Sequence, residues 1–135
     1  MIKRIDHIGI CVRDLEASIK KYTSLLGLEV EEIEQIEEED VTHRIAFFPV
    51  GGTPIELLHT NANEGLIADF IRDHGEGIHH IALEVEDLDK TFHELRSRGV
   101  EFLWDRIVEG SRESKIAFFK PQEFNGVYIE LVQKH

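Results

Sequence analysis

Apolar residues alternate with small or polar ones along "HIGICV" (7–12), so Ile8, Ile10 and Val12 share one parity and His7, Gly9 and Cys11 the other. That is the period of a β-strand, whose successive side chains point to opposite faces of a sheet. The pattern then changes to a helical spacing through "DLEASIKKYTSLLG", with Asp14 placed as N-cap and Gly27 as stop signal. Strands are expected at about 4–12, near 28–36, 42–50 and 53–59, with "GGTP" (51–54) supplying turn chemistry before the last. "LEVEEIEQIEEED" (28–40) fits less cleanly, because Ile33 and Ile36 fall three apart; it reads as a strand with a bulge or an early end. Downstream, a strand over 79–86 precedes a helix capped by Asp87 and closed near Gly99. Strands follow at 101–109, 113–120 and 126–133, with a turn at "FNG" (124–126). The intervening "TNANEGLIADFIRDHGEG" (60–77) reads as a linker with a short helix in its middle.

These two halves are copies. His7 falls on His80, Ile8 on Ile81, Val12 on Val85, Asp14 on Asp87, Leu15 on Leu88 and Ser24 on Ser97, all at one offset (80 − 7 = 73). "IAFFP" (45–49) falls on "IAFFK" (116–120), offset 71, and "IELL" (55–58) on "IELV" (129–132), offset 74. A register that drifts only by loop-sized indels is the mark of a duplicated module. The expected organisation is a first βαβββ module over 1–59, a linker over 60–77 and a second βαβββ module over 78–135, an α+β fold class.

Parity then singles out four side chains. In "HIALEV" (80–85), Ile81, Leu83 and Val85 share one face, and His80, Ala82 and Glu84 the other. Gly9 and Ala82, beside each first-strand histidine, are small and leave room. His79 takes the opposite parity and has no counterpart in the first copy, where Asp6 stands. In the last strand of each module Glu56 sits between Ile55 and Leu57, and Glu130 between Ile129 and Leu131. A carboxylate in so apolar a strand is costly to bury unless it is paired or bound to a metal. One such Glu alone is a solvent-facing residue, and one such His a satisfied core residue. Two of each at repeat-equivalent positions form a set that pseudosymmetry could bring to one point. That donor set suits Zn, Co, Ni, Mn or Fe rather than a thiolate-rich structural zinc site or an all-oxygen calcium cage.

Composition narrows the setting. The chain has 135 residues, 41% of them hydrophobic, enough for one compact unit or two small modules sharing a core. A single cysteine, Cys11, excludes an internal disulfide and fits a reducing compartment. With 27 acidic against 15 basic residues, the net charge of −12 argues against nucleic-acid binding. The N-terminus does not read as a signal peptide, and no apolar run approaches a membrane span, so a cytoplasmic protein without a membrane partner is expected.

The tandem repeat with "DHIGICV…DLEASIKKYTSLLGLEV", "IELL", "IHHIALEVEDL" and "GVYIEL" resembles the vicinal oxygen chelate superfamily, the glyoxalase, bleomycin-resistance and extradiol dioxygenase relatives, over essentially the whole chain. The resemblance implies a cleft-shaped curved mixed sheet around one divalent metal (Co, Zn, Ni or Mn) per chain. It implies His7, Glu56, His80 and Glu130 as the metal ligands, with His79 pointing away. Within the superfamily the chain is most similar to methylmalonyl-CoA epimerases, through "HIGICVRDLEASIKKY", "GGTPIELL", "GEGIHHIALEVEDLDKTFHELRSRGV" and "KIAFFKPQEFNGVYIEL". It departs from the epimerase pattern at "KPQ" (120–122), "GSRESK" (110–115) and "IELLHT" (55–60), stretches expected near substrate.

An epimerase of this kind implies inversion of the carbon next to a thioester carbonyl of an acyl-CoA. The metal would stabilise the enolate, and an acid/base group would stand on each face. Glu130 is the candidate for one group. The second is expected in "EEED" (37–40), where Glu38, Glu39 and Asp40 are all open and Glu39 marks the middle. Arg44, Arg112, Lys115 and Lys120 are available for the CoA phosphates, although each also reads as ordinary surface charge. One residue of Phe47/Phe48 and one of Phe118/Phe119 is expected to face the cleft. Two alternatives remain: a glyoxalase I-type lactoylglutathione lyase, and a non-catalytic drug- or antibiotic-binding relative, for which an intact metal set has no use. A homodimer is expected, since short chains with exposed strand edges need them covered.

Overall fold

The computed structural model describes residues 1–135. The order is β1 (Ile2–Cys11), α1 (Leu15–Leu26), β2 (Glu32–Glu38), β3 (Val41–Phe48), β4 (Ile55–Thr60), α2 (Leu66–His74), β5 (Gly77–Val85), α3 (Leu88–Ser97), β6 (Val108–Glu109), β7 (Lys115–Phe118) and β8 (Tyr128–Gln133). The pattern βαβββ thus occurs twice, with α2 between, in an α+β fold. The chain divides into two compact units, His7–His79, and Met1–Asp6 together with His80–His135.

In the unit His7–His79 the strands lie in the order β2-β3-β4-β1. β1 runs parallel to β4, and the other pairs are antiparallel. Asp14 caps α1 by accepting from Ala17 N at 3.0 Å, and Gly27 ends it in the left-handed conformation at φ 71°. Leu15, Ile19 and Tyr22 of α1 pack on Ile10, Val12, Ala46, Phe48, Ile55 and Leu57 of the sheet. β2 begins at Glu32 rather than near residue 28, and Leu28 packs against this core instead of pairing. From Glu32 to Glu38 it pairs residue for residue with β3, without a bulge. The three-residue spacing of Ile33 and Ile36 is therefore a strand feature: Ile33 lies on the opposite side from Ile36 and is exposed.

The second unit repeats the scheme with order β5-β8-β7-β6, β5 parallel to β8. Asp87 caps α3 through Lys90 N at 3.1 Å. Its core gathers Val85, Leu88, Phe92, Phe102, Ala117, Phe119 and Leu131. The expected strand over 101–109 shrinks to Val108–Glu109 plus an isolated bridge between Phe102 and Phe119. Phe102 explains the loss. Its ring turns inward onto Phe92 and Phe119, at centroid distances of 4.5 and 4.7 Å, and the chain leaves the sheet behind it. Gly110 is required where it stands, since a Cβ there would lie 2.6 Å from Ile116 Cγ2 and 2.7 Å from Ser114 Oγ.

Candidate metal centre

In the first unit the parallel pairing sets Gly9 of β1 opposite Glu56 of β4, so that Glu56 and His7 fall on one side of the sheet. The alternate side chains, Ile10, Ile55 and Leu57, pack with α1 on the other. His7 Nδ1 lies 3.2 Å from Glu56 Oε2, and each residue is only 5% exposed. Phe47, opposite Glu56 on β3, lies on the same face and is buried beside it, while Phe48 enters the α1 core.

The second unit builds the same pair. Ala82 of β5 stands opposite Glu130 of β8, and His80 Nε2 lies 3.8 Å from Glu130 Oε1. Both residues are buried. Phe118, opposite Glu130 on β7, meets the His80 ring edge-on at 5.3 Å, and Trp104 meets Phe118 edge-on at 5.8 Å. Phe119 goes to the α3 core, so one phenylalanine of each pair takes each side of its sheet.

A buried carboxylate against an imidazole is stable when the imidazole is protonated or when both serve a cation. Imidazole nitrogen and carboxylate oxygen are the donors that borderline divalent ions take, so each pair fits half of such a site. No side chain of a soft-metal site competes. Cys11 shares the face of His7, but burial pushes its thiol up to about 12, and it stays protonated at neutral pH.

His79, one residue from His80, has a different environment. It is 3% exposed, and its ring meets Phe70 of α2 edge-on at 5.0 Å. Burial pushes it down to about 4, which keeps it neutral.

Of the expected site residues, the structure pairs His7 with Glu56 and His80 with Glu130. It places the acidic run at the exposed turn of the β2–β3 hairpin: Glu38 is the last residue of β2, opposite Val41, and Glu39 sits in the turn itself at φ 56°. The proposed phosphate cations already have partners or lie in turns. Arg44 binds Glu16, Lys120 binds Glu101 at 2.9 Å, Lys115 lies 3.9 Å from Asp89, and Arg112 occupies a turn at φ 53°. One side chain escaped the reading of the sequence. His43 lies on the His7–Glu56 side of β3, and counting back by twos from Phe47 through Ile45 reaches it.

Comparison with known proteins completes the description. The profile of the glyoxalase/bleomycin resistance protein/dioxygenase superfamily matches residues 6–118. The chain is 37% identical to an ethylmalonyl-CoA/methylmalonyl-CoA epimerase of Cereibacter sphaeroides, covering 98% of this chain and 99% of that one. It is 30% identical to the human mitochondrial methylmalonyl-CoA epimerase over 96% of this chain and 73% of that one. Among solved structures, a single-residue variant of Streptomyces coelicolor methylmalonyl-CoA epimerase in complex with 2-nitronate-propionyl-CoA superposes with a TM-score of 0.89. The identity is 34%, and the match covers 99% of this chain and 96% of that one.

Proposed function

The chain belongs to the glyoxalase/bleomycin resistance protein/dioxygenase superfamily, and from that premise we propose that it is a divalent-metal-dependent epimerase of methylmalonyl-CoA. The bacterial and human relatives described above are acyl-CoA epimerases, and the enzyme class is accordingly isomerase. The observation that carries the finer reading is the repeated buried pair, His7 with Glu56 and His80 with Glu130, at equivalent positions of the two modules.

These four side chains would hold one divalent ion, Co, Zn, Ni or Mn. When bound, such an ion supplies Lewis-acid polarisation of the thioester carbonyl, without which an α-proton is too weakly acidic for a carboxylate to remove. The chain's own residues do the rest. Glu130 takes and returns a proton at its carboxylate on one face of the α-carbon. Phe118, edge-on to His80 and backed by Trp104, keeps water from that carboxylate. Phe47 has the same place beside Glu56. An acid/base group on the opposite face completes the inversion. The active species is a homodimer.

The test is direct. Protein loaded with Co²⁺ is given one epimer of methylmalonyl-CoA and, separately, the glutathione hemithioacetal of methylglyoxal. Conversion of the first to its epimer, with no turnover of the second, is expected. Turnover of the hemithioacetal alone would make the chain a lactoylglutathione lyase instead.

A further inference from the structure

Every neighbour of Glu130 on its face of the second unit follows from the strand register. Ala82 of β5 and Phe118 of β7 stand directly opposite it, and Tyr128 and Val132 flank it two residues away along β8. Ile129 and Leu131, of the other parity, pack with α3, so Tyr128, Glu130 and Val132 share the face away from that helix. Ala82, Phe118 and Val132 are buried. Tyr128 is half-buried, the one neighbour of Glu130 in this frame that meets solvent. Strand length explains the difference. β7 ends at Phe118, so Tyr128 has a strand partner on one side only, where it stands opposite His80.

The internal repeat shows what is particular to this position. Around Glu56 the equivalent frame consists of Gly9 on β1, Phe47 on β3, and Pro54 and Leu58 on either side along the chain. Gly9 and Ala82 are both small, Phe47 corresponds to Phe118, and Leu58 and Val132 are both aliphatic. Pro54 and Tyr128 break the likeness (128 − 54 = 74, the offset of "IELL" on "IELV"). Pro54 is compact, and its carbonyl accepts from Ile8 N at 3.2 Å. The fold therefore accepts a short side chain here. In the second module the same position carries the longest neighbour of either glutamate.

We infer that Tyr128 sets the size of the substituent that the α-carbon can carry, admitting a methyl group and disfavouring a longer one. This rests on the epimerase reading above, in which Glu130 takes the α-proton. For that transfer the α-carbon must come within hydrogen-bond reach of the carboxylate, about 3 Å. Its substituent is then bounded on this sheet by the neighbours of Glu130. Ala82 offers only a methyl group, and Phe118 is held in place between the His80 and Trp104 rings. Tyr128 lies roughly 6.6 Å along the strand, two residues at about 3.3 Å each. Aromatic side chains bridge such a separation. Its exposed edge makes it the wall that a substituent meets on the solvent side of the carboxylate. A wall of this kind discriminates against one added methylene by about 10- to 200-fold.

Two measurements test the inference. In the first, wild type, Tyr128→Ala and Tyr128→Phe are loaded with Co²⁺ and assayed for epimerisation of methylmalonyl-CoA and of ethylmalonyl-CoA, one methylene longer at the α-carbon. The wild type should prefer the methyl compound by about 10-fold or more in kcat/KM. Tyr128→Ala should close most of that gap. Tyr128→Phe, which keeps the ring and loses the hydroxyl, should retain it, and all three proteins should hold the same amount of metal. In the second, ring resonances of ¹³C-tyrosine-labelled wild type are followed as an equilibrium mixture of the methylmalonyl-CoA epimers is added. The chain has two tyrosines, and Tyr22, packed on Phe48, is the internal control. The Tyr128 ring should shift and the Tyr22 ring should not. An active wild type that takes both compounds equally would overturn the inference and leave the epimerase reading standing. So would a preference kept in Tyr128→Ala or lost in Tyr128→Phe, or a Tyr128 ring that saturating substrate leaves unmoved. A wild type that epimerises neither compound would overturn both. The resonance measurement needs no variant, so a misfolded Tyr128→Ala would not leave the question open.

Discussion

His79 and His80 are adjacent, equally buried and chemically identical, yet their removal should have opposite consequences. His80 faces Glu130, with Nε2 3.8 Å from Oε1, whereas His79 packs edge-on against Phe70 at 5.0 Å. An ion held at 100 times its dissociation constant stabilises the fold by about 2.7 kcal/mol. For a chain of 135 residues, at about 3–5 °C per kcal/mol, that raises the melting temperature by about 10 °C. His80→Ala should abolish this metal-induced rise. His79→Ala should keep it in full, on a baseline lowered by about 2–3 kcal/mol for the cavity left under α2. Thermal unfolding with and without Co²⁺, together with metal content after dialysis, reads both quantities. A rise that survives His80→Ala and disappears in His79→Ala would show that the strand register is off by one residue, and the proposed ligand set would fall with it.

Further expectations follow from other parts of the molecule. Single Ala substitutions of His7, Glu56 or Glu130 should each strip bound metal, measured by elemental analysis of the dialysed protein; retention in any one would remove that residue from the set. Asp14→Ala and Asp87→Ala should each destabilise by about 1 kcal/mol in urea unfolding, and additively, because each caps one helix of one module. Cys11 should resist a thiol reagent at pH 8 and react only after unfolding, since its thiol stays protonated up to about pH 12; rapid labelling of native protein would contradict its burial. Of Glu38→Gln, Glu39→Gln and Asp40→Asn, one should exchange deuterium without inverting; full epimerisation by all three would remove the hairpin turn as the source of the second acid/base group. Light scattering at micromolar concentration should give the mass of a dimer, and a monomer would reject that assembly.

Much of this architecture was legible in the chain because the repeat reads every signal twice. Asp14 and Asp87 cap equivalent helices, and parity in "HIGICV" and "HIALEV" separates His7 and His80 from the helix-packed residues. Boundaries were lost where a side chain changes its allegiance. Leu28 looks like the start of a strand but is drawn into the core under α1, and the chain leaves the sheet after Phe102, whose ring packs on Phe92 and Phe119. The expectation of a second base in the acidic run at 37–40 comes from the family resemblance rather than from any local signal. His43 sat three residues further on and gave no such signal. Only the pairing register shows which side of β3 it occupies, and only the three-dimensional surroundings show that its Nδ1 lacks a partner.

The most direct measurement is the fate of the α-hydrogen. Metal-loaded protein is incubated with a single epimer of methylmalonyl-CoA in deuterated water, and the α-carbon is followed by NMR and mass spectrometry. Formation of the opposite epimer with one solvent deuterium at that carbon, dependent on the metal and lost in His80→Ala, is the result expected. Substrate that keeps both its configuration and its α-hydrogen in the presence of saturating metal would contradict the proposed function.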